Sequence, residues 1–378
     1  MKIAVLGAGM VGRTIALDLA KDYPVTSFDF NADNLDELIR GNVSIQTVTA
    51  DLSQYSEYNN RLSSFDIIVN AVPGFMGYKT LEAVINAGKD VVDISFFPED
   101  ALQLDKLAKQ KGITAITDCG VAPGISNFIL GRCNEEIKII SFECYVGGLP
   151  QNPKPPFYYK APFSPIDVIQ EYIRPARNME KGKIVTRPAL SERELLKFDE
   201  VGELEAFNTD GLRSLIFTMA HIPDMKEKTL RYPGHIDFII SLKEAGFFDT
   251  IPLRINDVLI TPLEFTSKLL VNEWKPGPQE EEFTVMKVII KSEARLADGQ
   301  GKRIEYDLFD RYDAATKTSS MARTTGYTCT AAVHLIAKKM FSEKGVYPPE
   351  LVGKDKYCFD FVMEYLNTRN VKLKRSPG

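Results

Sequence analysis

A glycine-rich segment near the start of the chain has the residue types and spacing that bind a dinucleotide. Gly7, Gly9 and Gly12 follow an apolar segment directly and lead into a run rich in alanine and leucine. In a Gly-x-Gly-x-x-Gly turn between a strand and a helix, the first glycine permits the turn and the second lets a pyrophosphate approach the backbone. The third lets the helix pack closely on the sheet. The alternative is that these glycines serve packing alone.

An acidic residue at the end of the next apolar segment indicates which dinucleotide binds. Asp29 stands where a carboxylate accepts hydrogen bonds from the ribose hydroxyls and repels a 2′-phosphate. We therefore predict NAD as the cofactor, and Arg13 and Arg40 are the cations that would reverse this preference. The predicted cofactor-binding residues are Gly7, Gly9, Met10, Val11, Gly12, Asp29, Ala71, Val72, Pro73 and Asp93.

Charged side chains in the central part of the chain suit an amino-acid substrate. Arg213 and Arg231 each offer a planar two-donor fork to a carboxylate, and Arg213 is the first choice. Asp210 would bind an ammonium group. If Asp210 and Arg213 lie on one helical turn, their side chains share a face and could bind both groups together. The alternative for each residue is an ordinary salt bridge in a surface loop.

A nicotinamide enzyme also needs a group that moves a proton. Tyr159, Lys160 and His235 lie in polar and aromatic clusters and could transfer a proton or bind a carboxylate. Asp93 and Asp118 lie at the ends of predicted strands, where each faces the cofactor crevice or serves as a helix cap or turn residue. We predict catalytic roles for Asp118, Tyr159, Lys160 and His235, and substrate binding by Asp93, Asp210, Arg213 and Arg231.

The elements that must position these residues alternate between strand and helix in the first part of the chain. Short apolar strands are predicted at 2–6, 24–30, 66–70, 90–94 and 113–117, with helices at 10–20, 78–87 and 98–110. This alternation indicates an α/β fold with a Rossmann-type doubly wound parallel sheet. Ligands of such sheets bind beyond the carboxyl ends of the strands, where the glycine turn, Asp29, Asp93 and Asp118 lie.

The pattern changes after residue 124. Segments 138–147, 283–291 and 303–310 alternate between apolar and polar residues, which is typical of half-buried antiparallel strands. In the first of them, Ile140 is predicted to face the core together with Phe142. A loop at 298–301 would join the last two segments as a hairpin.

Two long helical patterns, 320–341 and 356–368, follow these strands, and the second ends in a basic tail that we expect to fray. We predict that this part of the chain returns to the first domain. The predicted divisions are a dinucleotide-binding domain at 1–124, an α+β substrate-binding and dimerisation domain with an antiparallel sheet at 125–319, and C-terminal helices at 320–378.

The composition is that of an ordinary globular protein. The 378 residues are 44% apolar and 26% charged, with a net charge of −5 and no basic cluster, so we expect no nucleic-acid partner. No apolar stretch approaches the ~18 residues of a membrane span, and the chain begins with a core strand, so we expect a cytoplasmic protein. Five scattered cysteines and three histidines predict no disulfide framework and no metal site.

Longer blocks of the sequence resemble the saccharopine dehydrogenase family. Beside the glycine turn, the matching blocks are Val92–Ser95, Gly120-x-x-Pro123-Gly124, Gly147–Pro150, Tyr159–Lys160, Ser164–Pro165 and Leu230–Gly234. The likeness is greatest to the NAD-dependent lysine 6-dehydrogenase branch, through Asp93–Glu99, Pro155–Lys160, Tyr172–Arg177, Asp210–Ser214 and Ser320–Gly326. The resemblance covers nearly the whole chain, and these later blocks are more specific than the glycine motif.

The resemblance implies an activity and a partner. It implies NAD-dependent oxidative deamination of the ε-amine of lysine to 2-aminoadipate 6-semialdehyde and ammonia, in a homodimer formed through the second domain. Saccharopine reductases have a Gly-Leu-Asp-Pro-Gly-like segment, and its aspartate belongs to their reactive site. This chain has Ala122 at the position of that aspartate and therefore lacks the carboxylate. Asp118 would be a substitute. The alternatives are a saccharopine- or carboxyspermidine-type reductase and a non-catalytic dinucleotide-binding regulator.

Overall fold

In the computed structural model, which describes residues 1–277, 280–295 and 301–377, six strands from the first part of the chain and one from near its end build a parallel sheet. The strands are β1 (Ile3–Leu6), β2 (Val25–Asp29), β3 (Gln46–Thr49), β4 (Ile67–Asn70), β5 (Asp90–Asp93), β6 (Thr114–Ile116) and β17 (Gly345–Tyr347). Their order across the sheet is β17-β6-β5-β4-β1-β2-β3. The predicted Rossmann-type parallel sheet is confirmed.

Helices cover both faces of this sheet, which is why its central strands are apolar along their length. Ile3 and Val5 of β1 face one core cluster, and Ala4 and Leu6 face another. The helix Met10–Leu19 packs against the helix Ser320–Ala337 on the first of these faces. The helices of this layer are α1 (Met10–Leu19), α2 (Ala32–Gly41), α3 (Tyr58–Arg61), α4 (Gly74–Asn86), α5 (Asp105–Lys111), α6 (Ile125–Glu136), α11 (Ser320–Ala337), α12 (Pro349–Val352) and α13 (Lys356–Thr368).

The second sheet is mixed and largely antiparallel. Its strands are β7 (Ile139–Pro150), β8 (Ala176–Glu180), β9 (Lys183–Arg187), β10 (Glu194–Phe198), β11 (Gly202–Asn208), β12 (Asp224–Arg231), β15 (Glu282–Arg295), β16 (Gly301–Arg311) and β18 (Leu373–Pro377). The main order is β10-β11-β12-β7-β15-β16-β18, in which β7 and β12 run parallel. The predicted α+β second domain is therefore present, with one parallel pair inside its antiparallel sheet.

Smaller elements complete the second sheet's layer. Four helices lie there, α7 (Pro165–Ile173), α8 (Leu215–Thr218), α9 (His235–Glu244) and α10 (Pro262–Trp274), together with a hairpin of β13 (Leu253–Ile255) and β14 (Val258–Ile260). Across the described ranges, no helix is both long and apolar enough to span a membrane.

The strand β7 contains a bulge that changes which isoleucine faces the core. The alternation predicts Ile140 on the buried face, but Ile140 is 38% exposed and Ile139 is buried. Lys291 pairs with Ser141 and Ser292 pairs with Ile139, which leaves Ile140 as the extra residue of the bulge. Because of this one extra residue, the side chains before the bulge face the side opposite to the one that the alternation predicts.

The C-terminal part returns to both sheets. Strand β17 pairs with β6 in the first sheet, and β18 pairs with β16 in the second, so the predicted frayed tail is wrong: backbone hydrogen bonds order it. The predicted helix at 98–110 is a short 3-10 helix at Ala101–Leu104 followed by α5. The pairing of β15 with β16 confirms a hairpin, although the loop residues 296–300 lie outside the described residues. The division at residues 124 and 319 stays a prediction.

Candidate active site

One cavity of about 650 Å³ extends from the carboxyl ends of the parallel strands to the second sheet. The glycine turn after β1, Asp29 of β2 and the segment after β4 line one end, where the residues are Gly7, Gly9, Met10, Val11, Gly12, Asp29, Ala71, Val72 and Pro73. Strand β12 and helices α7 and α10 contribute to the other end. This is the position at which doubly wound sheets bind ligands, and it holds nine of the ten predicted cofactor-binding residues.

The glycine turn leaves space for a phosphate group where the sequence predicts it. Gly7 has a φ of 102°, which only glycine adopts without strain. A Cβ atom on Gly12 would overlap the carbonyl oxygen of Gly7, whereas a Cβ atom on Gly9 would have no neighbour within 4 Å. Helix α1 begins beside this open space, and Gly9, at its N-cap, provides no side-chain hydrogen bond to the first turn. The backbone N–H groups of the first turn of α1, which have no partner within the helix, are thus available to a pyrophosphate.

The adjoining part of the cavity contains two carboxylates. Asp29 is buried, and its carboxylate accepts hydrogen bonds from the backbone N–H groups of Ala8 (2.7 Å) and Asn31 (2.8 Å). A second acid, Asp51, lines the same end of the cavity. Arg13 is ion-paired with Glu37 on α2 and is not among the residues that line the cavity.

A buried ion pair forms part of the cavity wall farther along. Asp118 lines the cavity and accepts a hydrogen bond of 2.6 Å from Nε of Arg213, which lies behind it and also donates to the carbonyl oxygen of Phe97. Burial raises the pKa of Asp118, and the guanidinium of Arg213 opposes that shift. Because Arg213 is already paired with protein groups and does not line the cavity, the structure does not bring the first-choice arginine to a substrate carboxylate.

The structure also separates Asp210 from Arg213. Residues 209–214 form no helix, and Arg213 has a left-handed φ of 47°. The carboxylate of Asp210 instead binds the guanidinium of Arg177, at 2.9 and 2.8 Å. The condition for a shared helical face is therefore not met, because the turn after β11 points these two residues at different partners.

Asp93 lies beneath the cavity rather than in its wall. It is fully buried, and its carboxylate accepts hydrogen bonds from the side-chain amide of Asn70 and, at 2.7 Å, from the backbone N–H of Ser95. Burial raises its pKa to about 8. Asp93 therefore supports the strand ends and has no direct route to a ligand, since neither Asp93 nor Asn70 lines the cavity.

The guanidinium of Arg231 is a central feature of the far end. It donates to Glu171 (2.8 Å), to the hydroxyl of Tyr172 (3.0 Å) and to the carbonyl oxygen of Leu230 (2.9 Å), and it lies 4.4 Å from the ring centroid of Tyr159. Arginine has five N–H donors, so donors remain for a carboxylate. Arg231 is the second-choice arginine of the sequence analysis, and it lines the cavity.

The three other predicted proton-transfer residues lie behind or outside this wall. Tyr159 is buried, and burial raises its pKa further above the usual range. Both ring nitrogens of His235 are within hydrogen-bond distance of protein oxygens, those of Tyr172 (2.9 Å) and Phe157 (2.7 Å), and burial lowers its pKa to about 3. Lys160 donates to the carbonyl oxygen of Glu273 on α10. None of these three lines the cavity as described, so Tyr159 and His235 support Arg231 and Tyr172.

The sequence analysis missed Glu227. It lies on β12 four residues before Arg231, on the same face of the strand as Thr229, and all three line the cavity. The signal was present in the alternation, because residues i, i+2 and i+4 of a strand share a face. Lys226 and Lys228 on the opposite face bind Glu194. The strand thus presents a polar face to the cavity and a separate network of ion pairs on its other side.

Fold and cavity together define a dinucleotide-binding protein of two sheets, with a charged pocket against the central strands β7 and β12 of the second sheet. Residues 3–116 match the saccharopine dehydrogenase NADP binding domain, and residues 120–371 match the saccharopine dehydrogenase C-terminal domain. The chain belongs to the saccharopine dehydrogenase family.

Relatives in this family are distant. The chain is 25% identical to alpha-aminoadipic semialdehyde synthase of Arabidopsis thaliana, over 76% of this chain and 31% of the relative. It is 24% identical to saccharopine dehydrogenase [NADP(+), L-glutamate-forming] of Saccharomyces cerevisiae, over 71% of this chain and 62% of the relative. The matched parts thus span less than two thirds of these relatives.

A solved structure matches the entire fold. Apo saccharopine dehydrogenase (L-Glu forming) from Saccharomyces cerevisiae superposes with a TM-score of 0.79 at 21% identity, covering 100% of this chain and 99% of the other. At this identity the match establishes the shared architecture, a parallel sheet followed by a second, mixed sheet.

Proposed function

We propose that this protein is an NAD-dependent dehydrogenase that oxidatively deaminates the ε-amine of lysine. The observation that carries the proposal is the composition of the far end of the cavity. One fork-shaped cation, Arg231, lies there among the acids Asp118, Asp167, Glu171 and Glu227. Such a pocket suits a substrate with one carboxylate and an excess of ammonium groups.

The chain's residues hold the two reactants in sequence along the cavity. The turn at Gly9 and the carboxylate of Asp29 fit a dinucleotide, since a Cβ at Gly9 would occupy open space beside the first turn of α1. NAD bound there would accept the hydride that leaves the ε-carbon. The imine of the substrate then adds water and releases ammonia, which yields 2-aminoadipate 6-semialdehyde. Arg231 would bind the α-carboxylate and orient the ε-carbon.

The preference for NAD rests on charge at the ribose end. Asp29 and Asp51 lie in this part of the cavity, and among the described lining residues here there is no lysine or arginine. A 2′-phosphate would face two carboxylates without a cation to balance it. This proposal departs from the yeast relative, which carries NADP(+) in its name.

A saccharopine-type reductase is the main alternative, because two relatives are named saccharopine dehydrogenase. Its substrate has more carboxylates than lysine and needs more cations. Among the described residues that line the cavity, the cations are Arg231 and Lys275. The cavity is therefore less suited to such a substrate. A non-catalytic regulator would bind the dinucleotide and turn over no amine.

The test is a panel of amino acids, polyamines and saccharopine, each supplied with NAD or NADP while reduced cofactor is followed by absorbance. We expect lysine with NAD to give the highest kcat/KM. One ammonia should be released for each NADH formed. Preferential oxidation of saccharopine would support the alternative. Dinucleotide binding without turnover of any compound would support the regulator.

We also propose a homodimer formed through the second domain. Apolar side chains of the β13–β14 region are more than half exposed, including Ile251, Leu253, Ile255, Val258 and Leu259. An isolated two-stranded hairpin is marginally stable in water, so a cover for these side chains would stabilise it. Light scattering tests the proposal, and a mass near 42 kDa at micromolar concentration would contradict it.

A further inference from the structure

Glu227 differs from Asp118 and Glu171 of the same cavity in making no ion pair with a cation among the described residues. Asp167 makes none there either, but while burial raises its pKa, Arg174 lies near enough to lower it. Asp118 is paired with Arg213, and Glu171 is paired with Arg231. Glu227 is only 4% exposed, and within the described part of the chain it makes no ion pair. A buried carboxylate without a cation is costly. A ligand that brings a positive charge to this wall would remove that cost.

The carboxyl group of Glu227 is nevertheless held in a fixed position. Its Oε2 accepts a hydrogen bond of 2.6 Å from the hydroxyl of Thr209, which lies 2.9 Å from the hydroxyl of Thr229. All three side chains line the cavity beside Gly211, where a Cβ atom would overlap the carboxyl group. The absence of a side chain at Gly211 leaves room for this arrangement. A group fixed in this way is oriented before a ligand arrives.

We infer that Glu227 is the residue that accepts a proton from the ammonium group of the substrate. This inference rests on the proposed function. The N–H bond of the ammonium breaks and its proton goes to a carboxylate oxygen of Glu227. The neutral amine would then share its lone pair with the ε-carbon as that carbon loses hydride to bound NAD, so that a C=N bond replaces the C–H bond. Water would add to the same carbon, and the C–N bond would break as the C=O bond forms, which gives the aldehyde and ammonium.

The electrostatics of Glu227 agree with this role. Burial raises its pKa to about 8, the hydrogen bond from Thr209 lowers it, and Glu171 and Asp210 raise it. A carboxyl group that titrates near neutral pH can both take up and release a proton during turnover. Because the deprotonated form is the active one, kcat/KM should rise with pH and level off above about 8.

The test is the pH profile of kcat/KM for Glu227→Gln, with lysine and NAD as the reactants. We expect a loss of at least about 100-fold at pH 7 and the disappearance of the limb that rises to pH 8. The loss should shrink above pH 10, where the amine of lysine begins to arrive unprotonated. A residue with a purely structural role would not produce this pH-dependent recovery.

The matched control is Glu350→Gln. Glu350 is also a buried glutamate with a pKa raised by burial, bound by Thr218 and Asn127, but it does not line the cavity. Its substitution should leave the pH profile unchanged. NAD binding, which uses the opposite end of the cavity, should be intact in both variants.

A second variant keeps the test valid if Glu227→Gln does not fold. Thr209→Val removes the hydrogen bond that lowers the pKa of Glu227, so the rising limb should move to higher pH. If the rising limb stays in place in Thr209→Val, or if Glu227→Gln folds and loses less than tenfold, Glu227 is not the proton acceptor although the enzyme oxidises amines. If the wild-type protein oxidises no amine, the proposed function fails as well.

Discussion

The two ends of the cavity differ in how they are built. At the dinucleotide end, consecutive backbone groups between β1 and α1 make the site, and Asp29 completes it from the neighbouring strand. At the far end, side chains from α7, β12 and the turns after β6 and β11 meet, and most of their charges are already balanced by protein partners. A local motif therefore defines the first end, whereas pairing between distant residues decides which side chains remain available at the second.

The largest loss of NAD binding is expected from substitutions in the glycine turn, because the dinucleotide end of the cavity is made mainly of backbone groups rather than side chains. Gly12→Ala places a Cβ against the carbonyl oxygen of Gly7, so we expect little folded protein and no measurable NAD binding. Gly9→Ala is the control, because its Cβ enters open space: it should fold normally yet bind NAD at least tenfold more weakly. Calorimetry and thermal unfolding check both. If the two variants lost stability and NAD binding to the same extent, Gly12 would not be the packing glycine and Gly9 would not be the phosphate-binding one.

The next largest effect tests whether Arg213 belongs to the wall rather than to the substrate site. Arg213→Ala leaves the carboxylate of Asp118 buried without its partner, and we expect a loss of about 3–5 kcal/mol in the free energy of unfolding. Denaturant titration measures this loss. A variant of normal stability with a strongly raised KM for lysine would instead restore Arg213 as the carboxylate-binding residue.

At the ribose end, Asp29→Ala should weaken NAD binding by roughly 10- to 150-fold, because a charged hydrogen bond contributes about 1.5–3 kcal/mol. Asp29→Asn is the matched variant, since it keeps an acceptor for the N–H of Ala8 but removes the charge. NADP should bind relatively better to both variants than to the wild type. Tighter binding of NADP than of NAD by the wild-type protein would overturn the choice of cofactor.

The smallest effect concerns the geometry of the cation at the far end. Arg231→Lys keeps a positive charge near Glu171 but loses the planar fork, so KM for lysine should rise about tenfold, equivalent to about 1.4 kcal/mol. NAD binding should not change. An unaltered KM would mean that the substrate carboxylate binds elsewhere, with Lys275 as the next cation in the cavity wall.

The sequence predicted the architecture and the dinucleotide end well for a physical reason. Strand periodicity and the glycine spacing are local, so β1, α1 and Asp29 could be placed from neighbouring residues alone. In β7 of the second sheet, the bulge at Ile140 could not be predicted, because one extra residue in a strand leaves the apolar pattern almost intact.

The far end was harder because residue type does not reveal a residue's partner. Arg213 and Arg231 have the same chemistry, and only the fold shows that one lies behind Asp118 while the other lines the cavity. His235 and Tyr159 are chemically versatile but face the core beside Arg231 and Tyr172. Glu227 was overlooked although the alternation of β12 placed it on the face of Arg231.

The late position of β17 has a consequence for the order in which the chain folds during synthesis. This strand closes the first sheet beside β6, and the hydroxyl of Thr114 donates to the carbonyl oxygen of Glu343, 229 residues later. At about 5–20 residues per second, a ribosome needs roughly 10–45 s to make the intervening chain. During that interval the edge of β6 is exposed, so the nascent chain depends on its second half to protect its first.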